Sequence, residues 1–182
     1  MSSQIDEVIR TWETADPVLL HPLRAMSEDA YRISGQNHAA LLSTVVPPGT
    51  VVDFGCGDGR VAIPLDDLGY DVIAVDGAQA MLDRLAAAAP DLPSARSDGT
   101  DLAAVLGEPA DSLIAIGVLG QYDDAVAAQL VEKMRAAVRP DGILVLDWPG
   151  SERHVDLCRR IGLEALPLGL PWSAYRATDA SA

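Results

Sequence analysis

The segment Asp53-Phe54-Gly55-Cys56-Gly57-Asp58-Gly59-Arg60 follows the apolar run Thr50-Val51-Val52 and leads into a stretch with helical patterning, and it constrains the fold more than any other part of the chain. Glycines on three alternate positions carry no side chain to hold a ligand off. Backbone N–H groups of the turn and of the helix start can therefore close directly on a bound molecule. The spacing is Asp-x-Gly-x-Gly-x-Gly, with an acid before the first glycine, and not the G-x-G-x-x-G of dinucleotide sites. The expected guest is nucleotide-like, cationic and free of phosphate.

From Thr50 onward the chain alternates short β-rich runs with helical stretches. Strands are expected at Thr50 to Phe54, Asp71 to Val75, Ser94 to Ser97, Ser112 to Ile116 and Ile143 to Asp147. Helices are expected near Arg60 to Leu68, Ala78 to Ala89 and Ala125 to Val138, stopped by Gly69, Pro90 and Pro140-Asp141-Gly142. Repeated strand–helix units imply a parallel sheet covered on both faces. Pro64 fits the first of these helices only if it lies early in it.

Ahead of this core, Ile5, Val8, Ile9 and Trp12 recur at helical spacing, which predicts an amphipathic helix over residues 3 to 14. Asp16-Pro17 and His21-Pro22 break the chain. Ser27 then caps a short helix that carries Tyr31 and ends at Gly35, and a second helix runs from about Gln36 to Val46. After the fifth strand come a helix around Glu152 to Ile161 and two runs, Leu163 to Leu168 and Trp172 to Thr178, that read as a terminal hairpin, with a short tail from Asp179. One domain is expected over residues 1–182: a helical lid and substrate cap at 1–46, and an α/β core at 47–178.

A net charge of -14, with only 13 Lys and Arg spread along 182 residues, argues against nucleic acid and anionic membrane surfaces as partners. The N-terminus lacks a basic start and an apolar run, and no stretch approaches the roughly 18 apolar residues of a membrane span. A soluble, cytoplasmic protein is expected. Cys56 and Cys158 have neither metal-ligand nor disulfide spacing and read as free thiols. Asp123-Asp124 read as a helix cap and dipole partner, and no metal is expected.

Three further stations follow the loop in order, each at the end of an expected strand, where an open α/β sheet places its ligand. They are Asp76-Gly77, 17 residues past Gly59; Ser97-Asp98-Gly99; and Gly117-Val118, leading to Gln121-Tyr122. With these four stations the chain, over about residues 27 to 178, resembles the class I S-adenosylmethionine-dependent methyltransferases. The resemblance implies a Rossmann-like, doubly wound α/β fold: a mostly parallel seven-stranded sheet with an antiparallel C-terminal hairpin.

It also implies a cofactor site at Asp53, Gly55, Cys56, Gly57 and Gly59 for the methionine end, and at Asp76 and Gly77 for the ribose. Met81, Ser97, Asp98 and Gly99 would serve the adenine, and Gly117 and Val118 the path to the sulfonium. S-adenosylmethionine would leave as S-adenosylhomocysteine. The acceptor expected is a small-molecule O or N nucleophile, since the chain has almost none of the insertions that give the family its specificity, and the absence of Asn-Pro-Pro-Tyr or Asp-Pro-Pro-Tyr after the fourth strand weakens transfer to an amino group of a base or of glutamine. Candidate general bases are His38, Tyr31, Tyr122 and His154, and Trp12, Gln121, Tyr122 and Trp148 are expected to face the substrate. The chain is expected to act as a monomer or homodimer. Two other uses of the fold are a non-methylating rearrangement or cyclisation and a non-catalytic partner subunit.

Overall fold

A computed structural model describes residues 3–20, 27–148 and 152–178. The expected break at His21-Pro22 and the tail from Asp179 lie outside the described residues. The elements are α1 (Gln4–Thr14), α2 (Pro17–Leu20), α3 (Glu28–Leu42), β1 (Thr50–Phe54), α4 (Ala62–Asp67), β2 (Asp71–Asp76), α5 (Gln79–Ala88), β3 (Ser94–Arg96), α6 (Leu102–Leu106), β4 (Ala110–Ala115), α7 (Asp124–Ala136), β5 (Val138–Leu146), α8 (Glu152–Arg160), β6 (Leu163–Leu166) and β7 (Ser173–Ala177). They form one seven-stranded sheet in the order β3-β2-β1-β4-β5-β7-β6. Strands β1 to β5 run parallel, and β7 is antiparallel to both β5 and β6. The strand order reverses between β1 and β4, the crevice where such sheets take ligands.

Period-two alternation sends neighbouring strand residues to opposite faces. Val51, Ile143 and Val145 join Ala39, Leu42, Leu65 and Leu85 in one core layer, whereas Val52, Leu144 and Leu146 join Leu102, Leu130, Met134 and Leu157 in the other. Helices α3, α4 and α5 thus cover one face, and α6, α7 and α8 the other. Local chemistry sets the helix starts. Ser3 and Asp6 form a capping box on α1, Ser27 caps α3, and Asp123 Oδ1 accepts from the N–H groups of Ala125 and Val126 at the head of α7. Pro64 is the third residue of α4, where its missing N–H costs nothing.

Three expectations need correction. Gly35 does not end a helix: α3 runs unbroken from Glu28 to Leu42, because Gly35 lies against the backbone of Arg60, where a β-carbon would stand 1.9 Å from the Arg60 carbonyl oxygen. As a result α3 belongs to the core, and only α1 and α2 lie outside it. Pro140-Asp141-Gly142 is not a plain stop before the fifth strand. Ala110 pairs with Val138 and Ser112 with Ile143, so the intervening residues bulge out within β5, and Asp141 takes the positive φ of 64° that the bulge requires. Finally, α6 is a short helix that the sequence pattern did not single out.

Candidate active site

The carboxyl ends of β1, β2, β4 and β5 open into a cavity of about 610 Å³, roofed by Val8, Ile9, Thr11 and Trp12 of α1. The β1 loop forms its floor. The N–H groups of Gly55 and Cys56 both donate to the Val75 carbonyl, at 2.7 and 3.0 Å, which turns the chain sharply out of the sheet. Gly57 (φ 56°) and Gly117 (φ 82°) both take backbone conformations that side chains disfavour, and a β-carbon at either would meet nothing within 4 Å. Both line the cavity, so the open space beside their backbones is room for a ligand.

Asp76, at the end of β2, ties the loop to the next helix. Its Oδ2 accepts from the Gly57 N–H at 2.9 Å and its Oδ1 from the Ala78 N–H at 2.8 Å. Each carboxylate oxygen keeps a further acceptor site for a ligand hydroxyl. Asp53, at the floor, is 3% exposed and its Oδ2 has no partner. Burial pushes this carboxyl up to about 7, against a downward pull from Arg60 and aided by an upward push from Asp76. An orphaned buried carboxylate oxygen in a ligand-sized cavity is what a cationic guest would complete.

Beyond β3, Ser97 Oγ donates to Asp101 Oδ1 and accepts from the Gly99 N–H, while Asp98 Oδ1 accepts from the N–H and hydroxyl of Thr100. Both Ser97 and Asp98 also face the cavity, as do Gly55, Cys56, Gly77 and Val118. Cys56 and Cys158 are buried free thiols. Burial pushes the Cys56 thiol well up, which keeps it protonated.

Helix α1 is tied to the body at several points. Trp12 Nε1 donates to Gln121 Oε1 at 2.7 Å, and Gln121 Nε2 donates to the Gly117 carbonyl at 2.7 Å. Glu13 accepts from the N–H groups of Gln79 and Ala80, supplying α5 with the cap that Ala78 lacks, and it pairs with Arg96 at 3.4 Å. These amide bonds hold the Glu13 carboxyl below its ordinary range. Ile9 packs over Gly77, where a β-carbon would come within 2.7 Å of it.

On the opposite wall, Arg60 Nη1 donates to Ser34 Oγ at 3.2 Å and to His38 Nδ1 at 3.0 Å, and its guanidinium lies 5.6 Å from the Tyr31 ring centre. Trp172 meets His38 edge-on, ring centres 4.8 Å apart. Tyr31 donates to Asp58 Oδ1 at 2.8 Å, and burial followed by Asp58 raises its phenol strongly. Burial, then Asp76 and Asp98, pushes the Tyr122 phenol up to about 12.

These contacts change the expected base assignments. His38 Nδ1 already accepts from a guanidinium, so that lone pair is committed, and burial keeps the two phenols protonated, with Tyr31 donating to Asp58. His154 falls in α8, and its side chain lies outside the described residues. Met81 is 1% exposed and off the cavity wall, because its side chain turns into the core under α5, and Ile9 walls the cavity above Gly77 instead. Trp148 is likewise buried in the core on the far face, so it walls no pocket. Gly59 and Gly99 pack against Leu85 and Ile63, and against Leu130 and Phe54, so both shape the loops from behind.

Several cavity residues have no role in the sequence reading, Arg60, Asp147 and Trp172 among them. Arg60 stood in the quoted loop without a role. Asp147 was the last residue of an expected strand, and therefore at the ligand edge, a signal that went unused. Trp172 had no signal in its own neighbourhood, since only the β5–β7 pairing brings it to this edge.

A sequence profile described as "Methyltransferase domain" matches residues 51–142, just over half of the chain. A 23S rRNA (uracil(1939)-C(5))-methyltransferase of Halomonas elongata is 30% identical over 141 residues, covering 78% of this chain and 23% of the relative. An uncharacterised methyltransferase of Mycobacterium tuberculosis is 29% identical over 114 residues, covering 62% of this chain and 44% of the relative. The chain therefore spans less than half the length of either. In structure, it superposes on the magnesium protoporphyrin IX methyltransferase of Synechocystis PCC 6803, crystallised with bound SAM, with a TM-score of 0.71 at 17% identity, covering 97% of this chain and 96% of that one.

Proposed function

This chain belongs to the class I S-adenosylmethionine-dependent methyltransferase family, and on that footing we propose that it methylates an oxygen or nitrogen nucleophile of a small molecule, releasing S-adenosylhomocysteine. The observation that carries the reading is the cavity at the β1–β4 crevice, which brings the Asp53 loop, Asp76, Asp98 and Gly117 onto one wall and closes them under α1. The cofactor, when bound, supplies an activated methyl group on a sulfonium. Asp53, Gly55 and Gly57 would hold its amino-acid end, Asp76 its ribose and Ser97-Asp98 its base.

What the chain itself contributes is alignment and exclusion of water. The Trp12–Gln121–Gly117 hydrogen bonds hold the lid to the β4 loop. The Arg60–His38–Trp172 wall gives the acceptor a rigid, partly aromatic surface. The low count of basic residues favours a small acceptor over a polyanionic one. No described helix is long and apolar enough to cross a membrane.

The test is turnover. Incubated with S-adenosylmethionine and pools of small metabolites, the protein is expected to produce S-adenosylhomocysteine together with one methylated product detected by mass spectrometry. Failure of calorimetry to detect either nucleoside at millimolar concentration would sink the reading.

Asp53 adds a pH signature. Below about pH 7 its carboxyl is mostly protonated in the empty cavity. A cationic guest favours the ionised form, so binding expels a proton, and affinity rises as pH climbs from 6 through 7 before levelling off. Calorimetry in buffers of different ionisation enthalpy is expected to count that proton for S-adenosylmethionine. S-adenosylhomocysteine keeps the α-ammonium at its amino-acid end, so its profile should rise in the same way. A flat profile for both ligands would show that Asp53 does not face that charge.

A further inference from the structure

At the acceptor side of the cavity, β5 and β7 end together. Their antiparallel register pairs Leu146 with Ser173, and the next residue outward on each chain, Asp147 and Trp172, lines the cavity. The Trp172 ring is braced by its edge contact with His38, which Arg60 holds in turn. This end of the cavity therefore presents one carboxylate beside one fixed aromatic surface.

Backbone amides hold the carboxylate in place. Asp147 Oδ1 accepts from the Leu119 N–H at 3.0 Å, and the N–H groups of Gly117, Val118 and Gly120 also draw its carboxyl down. Among the described residues no Lys or Arg forms a salt bridge with Asp147. Arg60, the guanidinium on the cavity wall, is directed at Ser34 and His38. Burial raises the Asp147 carboxyl above its ordinary range despite the amides around it. A buried acid without a counter-ion is costly, and a cationic guest offsets that cost.

We propose that the acceptor is an amine on a flat, largely apolar body, its ammonium held by Asp147 and its body against Trp172. This rests on the methyltransferase reading and narrows it from oxygen or nitrogen to nitrogen. Asp147 also has a chemical task in it. An ammonium has no lone pair, so one N–H bond must break, its proton passing to the Asp147 carboxylate and its electron pair staying on nitrogen as the nucleophile. A carboxyl raised by burial takes that proton more readily than an exposed one.

The experiment uses three isosteric probes, benzylamine, benzyl alcohol and benzoate, titrated by ligand-observed NMR into the full-length protein with and without saturating S-adenosylhomocysteine. Benzylamine is expected to bind at least tenfold tighter than either of the others. In Asp147→Asn its affinity should fall to that of benzyl alcohol while S-adenosylhomocysteine binds as before, and Trp172→Ala should weaken all three probes alike. Benzoate or benzyl alcohol binding as tightly as benzylamine, undiminished benzylamine binding to Asp147→Asn, or no binding of any probe would overturn the proposal. Should Asp147→Asn fail to fold for want of the Leu119 contact, the ranking in the unaltered protein decides alone. Loss of S-adenosylhomocysteine binding with the benzylamine preference intact would count against the methyltransferase reading and not against the amine site.

Discussion

Asp76→Ala is expected to lower the affinity for S-adenosylmethionine at least a hundredfold, about 2.7 kcal/mol at roughly 1.36 kcal/mol per decade. Two effects add. A carboxylate accepting from ligand hydroxyls contributes about 1.5–3 kcal/mol per charged hydrogen bond, and alanine removes that acceptor. The same substitution frees the Gly57 and Ala78 N–H groups that Asp76 now holds at 2.9 and 2.8 Å, so the glycine loop loses its tie to α5. S-adenosylhomocysteine shares the ribose and is expected to weaken equally. Asp76→Asn should fall between, because an amide can accept from only one of the two N–H groups. Calorimetry on the three proteins, with circular dichroism to confirm folding, gives the result. Unchanged affinity in Asp76→Ala would remove the residue from the site.

Gly35→Ala is expected to destabilise the fold by about 2–3 kcal/mol, the upper range for overpacking, and to lower the melting temperature by about 5–10 °C in a chain of this size. The sign is the informative part. In an exposed helix interior, Gly→Ala stabilises by about 0.5–1 kcal/mol. Here the new methyl would stand 1.9 Å from the Arg60 carbonyl oxygen, a backbone atom that cannot swing aside. Either α3 moves off the β1 loop or the loop shifts, and Arg60 with its contacts to Ser34 and His38 moves with it. Gln36→Ala, one residue along on the exposed side of α3, is expected to stay within about 0.5 kcal/mol. A Gly35→Ala protein as stable as the parent would mean that α3 does not lie on the loop.

The strand–helix alternation is legible because the parallel strands are bounded by their own punctuation and all but β3 carry β-branched residues or leucine. The four stations were legible for a related reason: each falls within two residues of a strand's carboxyl end, so position along the chain stands in for position in space. Gly35 was misread because local propensity treats a glycine as a stop, whereas its partner is the Arg60 carbonyl, 25 residues away in sequence. Met81 and Trp148 failed in the opposite direction. Each is near the site along the chain, but the turn of α5 and the strand pleat send their side chains into the core. For His38 and Tyr31, residue type suggests bases, whereas His38 accepts from Arg60 and Tyr31 donates to Asp58.

By itself the amino-acid order determined the α/β class, the place of the ligand crevice and the acids at Asp53, Asp76 and Asp98, because those depend on short-range periodicity and on strand ends. The tertiary structure alone decided how the cavity is closed and what stands at its acceptor side. Trp12 reaches Gln121 across 109 residues, His38 reaches Trp172, and Asp147 and Trp172 come to line one cavity only through the pairing of β5 with a strand that returns antiparallel from the end of the chain. Contacts of that range are set by packing of the whole sheet, and no local pattern of residues encodes them.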